Sequence, residues 1–241
     1  MGDIGATNAR FALVEPGSSE IKNIENLKCS DFEDIQSAIK FYLSNHSDLD
    51  IQSACFATAG TVHLDIFKLA NNHWVINKQE VKKTLKGITV KWINDFTAQA
   101  FATTTLSDSE TIVINKGVVE PEKLRLVIGP GTGLGVCGLI MSSSGWLPIA
   151  GEGGHSDFAP NTSLEFEILT LLTKKFGHVA VERILSGPGI MNLYEALCQI
   201  NDTDMIYHSP SEITAAAVNV GSDPIADETI QMFCKIFGSV A

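Results

Sequence analysis

Glu152 and His155 stand three residues apart in LPIAGEGGHSDFAPN, residues 147–161, on a backbone flanked by glycines. A carboxylate and an imidazole held this close can read several hydroxyl groups of one ligand, because each accepts or donates hydrogen bonds in a defined direction. Glu182, in VERILSGPG, is a third group of this kind. Plainer readings exist for all three: an acidic turn that caps the next helix, a satisfied core histidine, a solvated helix glutamate. Asp95, in INDFTAQ, follows an apolar run. A carboxylate at a strand end is well fixed, and such a group can take the proton from a hydroxyl as a phosphoryl group arrives. The competing reading is helix N-capping by Asn94 or Asp95.

Two small-residue turns suit phosphate. GPGTGLG, residues 129–135, places four glycines in seven residues after Leu126-Val127-Ile128. Such a backbone can bring N–H groups of Gly131, Thr132 and Gly133 close to an oxyanion, or it can be a bare hairpin turn. Gly133, Gly135 and Gly138 match G-x-G-x-x-G formally, but the residues after them read as strand where a dinucleotide fingerprint needs a helix. GDIGATNAR, residues 2–10, sets Asp3 beside Gly5, Ala6, Thr7 and Asn8. That is a second phosphate-sized turn with a carboxylate that could hold Mg²⁺ through water, or an ordinary β-turn.

These groups need strands and helices to place them. The start of the chain reads as strand–turn–strand, SACFATAG as a short buried strand, ITVKWINDF as a strand entering a helix, and KLRLVIGPGTGLGVCGLIM as two strands hinged on glycine. Ser30 and Glu33 make a capping box, and Phe32, Ile35, Ile39, Tyr42 and Leu43 recur at helical spacing. Helices are expected from Asn161, from Gly187, from Pro210 behind Ser209, and from Pro224. Strands dominate up to about residue 150 and helices after it, which predicts an α/β fold in two lobes.

With 28 acidic against 17 basic side chains in 241 residues, the net charge is -11. That argues against nucleic acid or an anionic membrane as the main partner, yet permits a phosphorylated ligand held by backbone N–H groups. No run of about 20 apolar residues suggests a membrane span. The five cysteines are widely spaced with no Cys-x-x-Cys pair, which fits idle thiols in a reducing cytoplasm.

Taken together, GDIGATNAR (2–10), INDFTA (93–98), GPGTGLG (129–135), GEGGHSDFAP (151–160) and ERILSGPGIMNLY (182–194) resemble, in order and spacing, the motifs of the bacterial glucokinase family in the hexokinase/actin-type ATPase superfamily. The resemblance covers essentially the whole chain. It implies a two-domain actin-like ATPase (ribonuclease H-like) fold with a sugar cleft between a small domain, 1–95, and a large domain, 96–241. It implies ATP-dependent phosphorylation of D-glucose at the 6-hydroxyl, with Asp95 as general base. Sugar hydroxyls would meet Asn71, Asn94, Asp95, Glu152, His155 and Glu182. ATP would meet Asp3, Gly5, Ala6, Thr7, Asn8, Gly131, Thr132 and Gly133, with Mg²⁺ at Asp3. A cytoplasmic enzyme is expected, and a homodimer is an assembly the family often adopts. Asn71 matches a family Thr-Asn pair whose threonine is Ala70 here. The family pattern also carries an apolar strand ahead of GDxG and continues beyond FCKIFGSVA. The expectation is therefore a first strand cut short and a large domain incomplete at its C-terminal end. The alternatives to an active glucokinase are a non-catalytic remnant or a kinase for another hexose.

Overall fold

The computed structural model describes residues 1–18, 20–47, 49–60, 62–69, 72–118, 120, 122–219 and 223–241. The chain forms two compact units, residues 1–120 and 121–241.

In the first unit, β1 (Gly2–Ile4), β2 (Asn8–Val14), β3 (Ile21–Lys28), β4 (Ser53–Thr58) and β7 (Thr89–Asn94) form one sheet in the order β3-β2-β1-β4-β7. β1 runs antiparallel to β2 and parallel to β4, and β4 runs parallel to β7. The inner strand β4 is correspondingly apolar, with Phe56, Ala57 and Thr58 buried. β5 (Ile66–Lys68) and β6 (Val75–Asn77) make a separate antiparallel pair, and α2 (Lys78–Thr84) follows directly. Strands this short show no alternation long enough to read from sequence.

α1 spans Ile35–Ser44, about one helical turn later than the Ser30–Glu33 box suggests. Its real cap is Asp34, whose carboxylate accepts from the Ser37 N–H at 2.7 Å while Ser37 Oγ faces the Asp34 N–H at 3.3 Å. Residues 29–31 form only a 3-10 turn. The Phe32 carbonyl is occupied by Trp74 Nε1 at 3.1 Å and His73 Nε2 at 2.9 Å, so it cannot serve a helical turn. Ile35, Ile39 and Tyr42 do face the core, with Phe32 and Leu43 partly buried at its margin. Trp74, Ile76 and Phe56 complete that core; each such side chain contributes about 1.5–3 kcal/mol by leaving water.

In the second unit, β8 (Arg125–Pro130), β9 (Leu134–Ser142) and β10 (Gly145–Gly151) form an antiparallel sheet with β9 in the middle. Then come α4 (Ser163–Phe176), α5 (Gly187–Ile200), α6 (Pro210–Val218) and α7 (Pro224–Val240). Thr162, Ser186, Ser209 and Asp223 cap them, each side chain accepting a first-turn N–H. Ile168, Leu172, Leu193, Leu197, Met232 and Ile236 form the core between α4, α5 and α7. Among the described residues, no helix is long and apolar enough to cross a membrane.

Candidate active site

The sheet of the first unit delivers two of the expected features to one edge. The pairings Ile4↔Thr58 and Thr58↔Asn94 end β1, β4 and β7 level with each other. The turn after β1 and the carboxylate after β7 therefore emerge at the same end of the sheet. They are two strand spacings apart, about 10 Å. Carboxyl ends of parallel strands are where α/β sheets open to ligands.

At that edge, α3 (Asp95–Ala102) starts immediately. Asn94 is its N-cap: Asn94 Oδ1 accepts from Phe96 N at 2.9 Å and Thr97 N at 3.3 Å. The capping duty thus falls mainly on Asn94, and only its side-chain NH₂ remains to meet a ligand. Half-buried Asp95 uses one oxygen, Oδ1, to accept from Phe96 N at 2.8 Å. Its second oxygen has no partner among the described residues.

The first turn is closed by Gly5 N–H donating to Asn8 O at 2.9 Å. It is held from behind. Buried Asn72 donates Nδ2 to Gly5 O at 3.1 Å, Cys29 N donates to Thr7 O at 2.8 Å, and Cys29 Sγ lies 3.7 Å from Gly5 O. Burial pushes the Cys29 thiol pKa up, so it stays protonated as a donor. Ala6 and Thr7 face solvent. Asp3 pairs with Arg10 Nη1 at 2.9 Å through Oδ2, with both side chains about half exposed. Asn72 and Cys29 are the residues that sequence reasoning misses here. The Asn-Asn pair was the available signal, and its second member grips the turn. Ala70 and Asn71 lie outside the described residues.

In the second unit, β10 ends at Gly151 and Gly153–His155 form a 3-10 turn, tied by His155 N–H to Glu152 O at 3.0 Å. Glu182 sits on another 3-10 turn, Val181–Arg183. His155 lies between two carboxylates: Nδ1 is 3.4 Å from Glu182 Oε1, and Nε2 is 3.8 Å from Glu152 Oε2. His155 is 62% exposed and Glu152 79%, while Glu182 is 25% exposed. His155 is therefore no core histidine, and Glu182 is no freely solvated one. The longer separation exceeds a hydrogen bond, so His155 and Glu152 present separate polar atoms outward.

The glycine turn between β8 and β9 lies against the same cluster. Gly131 N donates to Gly133 O at 2.8 Å, and Gly187 N, at the start of α5, donates to Gly131 O at 2.9 Å. A Cβ on Gly133 would fall 2.6 Å from Glu182 Oε2. Gly131 and Thr132 stay exposed at the tip. Thus the structure brings Glu152, His155, Glu182 and Gly133 together in one unit, and Asn94, Asp95 and the Gly5–Asn8 turn to one sheet edge in the other.

The sequence model of the family described as Glucokinase matches residues 1–241. A glucokinase of Hahella chejuensis is 45% identical over 240 residues, covering 100% of this chain and 74% of that relative. The crystal structure of a glucokinase from an Antarctic psychrotroph superposes with a TM-score of 0.88 at 33% identity, covering 100% of this chain and 76% of that one. A Balamuthia mandrillaris glucokinase, solved in complex with glucose, shares the fold at a TM-score of 0.73 and 20% identity, covering 99% of this chain and 73% of that one.

Proposed function

Because the chain belongs to the glucokinase family, with its actin-like ATPase fold, we propose that it transfers the γ-phosphoryl group of ATP to the 6-hydroxyl of D-glucose. Asp95 takes the hydroxyl proton on its unpartnered oxygen. The sugar oxygen bonds to the γ-phosphorus, the bond to the β,γ-bridging oxygen breaks, and ADP leaves. Glu152, His155 and Glu182 read sugar hydroxyls, Asn94 donates through its side-chain NH₂, and Asn71 joins them. Ala6, Thr7 and Asn8, with Gly5, and the tip formed by Gly131, Thr132 and Gly133 hold the phosphates. The functional division of the chain then runs at 95/96, just inside the helix that opens with Asp95. A cytoplasmic location and a homodimer complete the reading.

The observation that carries it is the level ending of β1, β4 and β7, which sets a carboxylate with one free oxygen at the same edge as a small-residue turn.

Among the described residues no three His, Cys, Asp or Glu side chains gather to hold a metal. Asp3 keeps one oxygen off Arg10. One carboxylate fits Mg²⁺ that arrives with ATP and keeps its waters, the ion neutralising phosphate charge. 

A coupled assay with the 241-residue chain, glucose and Mg-ATP tests the proposal. Glucose 6-phosphate is expected. Turnover of mannose alone would move the assignment to another hexose, and no turnover of any hexose would sink it. Gly133→Ala supplies a finer check. The added methyl displaces the flexible end of Glu182 rather than backbone, so stability should hardly change. Glucose KM should rise about tenfold as Glu182 swings off His155.

A further inference from the structure

Glu182 and His155 come from separate stretches of chain, and a short antiparallel bridge sets one against the other. Asp157 pairs with Ala180, Phe158 N–H donates to Val179 O at 3.0 Å, and Val181 N–H donates to Ser156 O at 2.8 Å. His155 and Glu182 sit just beyond that bridge, on the 3-10 turns Gly153–His155 and Val181–Arg183, while Asp157 lies in the bridge and His178 beside it. Their side chains meet: His178 Nε2 lies 2.6 Å from Asp157 Oδ1. A slip of one residue in the bridge would shift one 3-10 turn along the other and part His155 from Glu182.

We propose that Asp157 and His178 are positioning residues, fixing the register that holds His155 against Glu182. This rests on the kinase reading above. The pair is 87% and 67% exposed, so it adds little to global stability. Its effect is local, on a bridge with few other bonds to keep it aligned.

His178→Ala tests this in the full chain. Amide hydrogen exchange at Phe158 and Val181 should quicken about threefold, and glucose KM should rise about threefold. ATP KM and the unfolding midpoint should stay put. His178→Gln, whose side-chain amide can still donate to Asp157, should restore both. Unchanged exchange and unchanged glucose KM would overturn the proposal. So would a fall in the unfolding midpoint that tracks the KM change and is not rescued by glutamine. A wild-type chain that fails to phosphorylate glucose would instead defeat the kinase reading. The exchange measurement needs no substrate and would still decide the clamp.

Discussion

Asp95→Asn is expected to lower kcat for glucose phosphorylation by about a hundredfold to ten-thousandfold, the usual contribution of a general base. The asparagine oxygen can still accept from Phe96 N, and Asn94 still caps α3, so the helix start is preserved. What changes is the second atom, which becomes an NH₂ that can donate to the sugar hydroxyl but cannot take its proton. Glucose affinity, read by calorimetry, should therefore remain near the wild-type value while turnover collapses. Full turnover in this variant would remove Asp95 from the chemistry. A joint loss of turnover and affinity would make it a binding residue only.

Gly154→Ala should do far more damage than Gly133→Ala. A Cβ there would lie 2.3 Å from the Leu134 carbonyl oxygen, which belongs to β9 and cannot swing aside. The 3-10 turn would have to lift from the sheet, carrying Glu152 and His155 with it. Overpacking against backbone costs about 3 kcal/mol, at the upper end for one methyl group. Urea denaturation should show that loss, and glucose binding should fall with it. The contrast with Gly133→Ala is the sharper test, since its clash is with a side-chain tip. Equal stabilities for the two variants would contradict the close approach of turn and strand.

That glycine also marks how far the sequence could be read. GEGGH suggests an adaptable backbone, yet neither Gly153 nor Gly154 has a positive φ. They are glycine because β9 runs too close for a side chain, and such proximity is a tertiary fact. The carboxylates and imidazole of the site were legible from residue type and spacing, and the α/β class from the strand-to-helix shift along the chain. The helices after residue 160 announced themselves through Pro210, Pro224 and their caps. Ser30–Glu33 misled because a capping box is a local pattern, and Trp74, far along the chain, had claimed the Phe32 carbonyl. β10 was hidden by Pro148 and by glycines at both ends, although an edge strand tolerates proline. Asn72 carried no signal of its own in the sequence, because its grip on the first turn depends on burial and on a contact 67 residues away.

The level ending of β1, β4 and β7 also sets an order of assembly. β1, β2 and β3 are successive antiparallel neighbours and can pair through short connections. The parallel contacts Gly2↔Phe56 and Ser53↔Thr89 must each close a long loop before they reward the chain. The edge that carries Asp95 is thus the slow half of its sheet. On a ribosome it cannot be completed until β7 has emerged, well after the hairpins at the start of the chain are free to form.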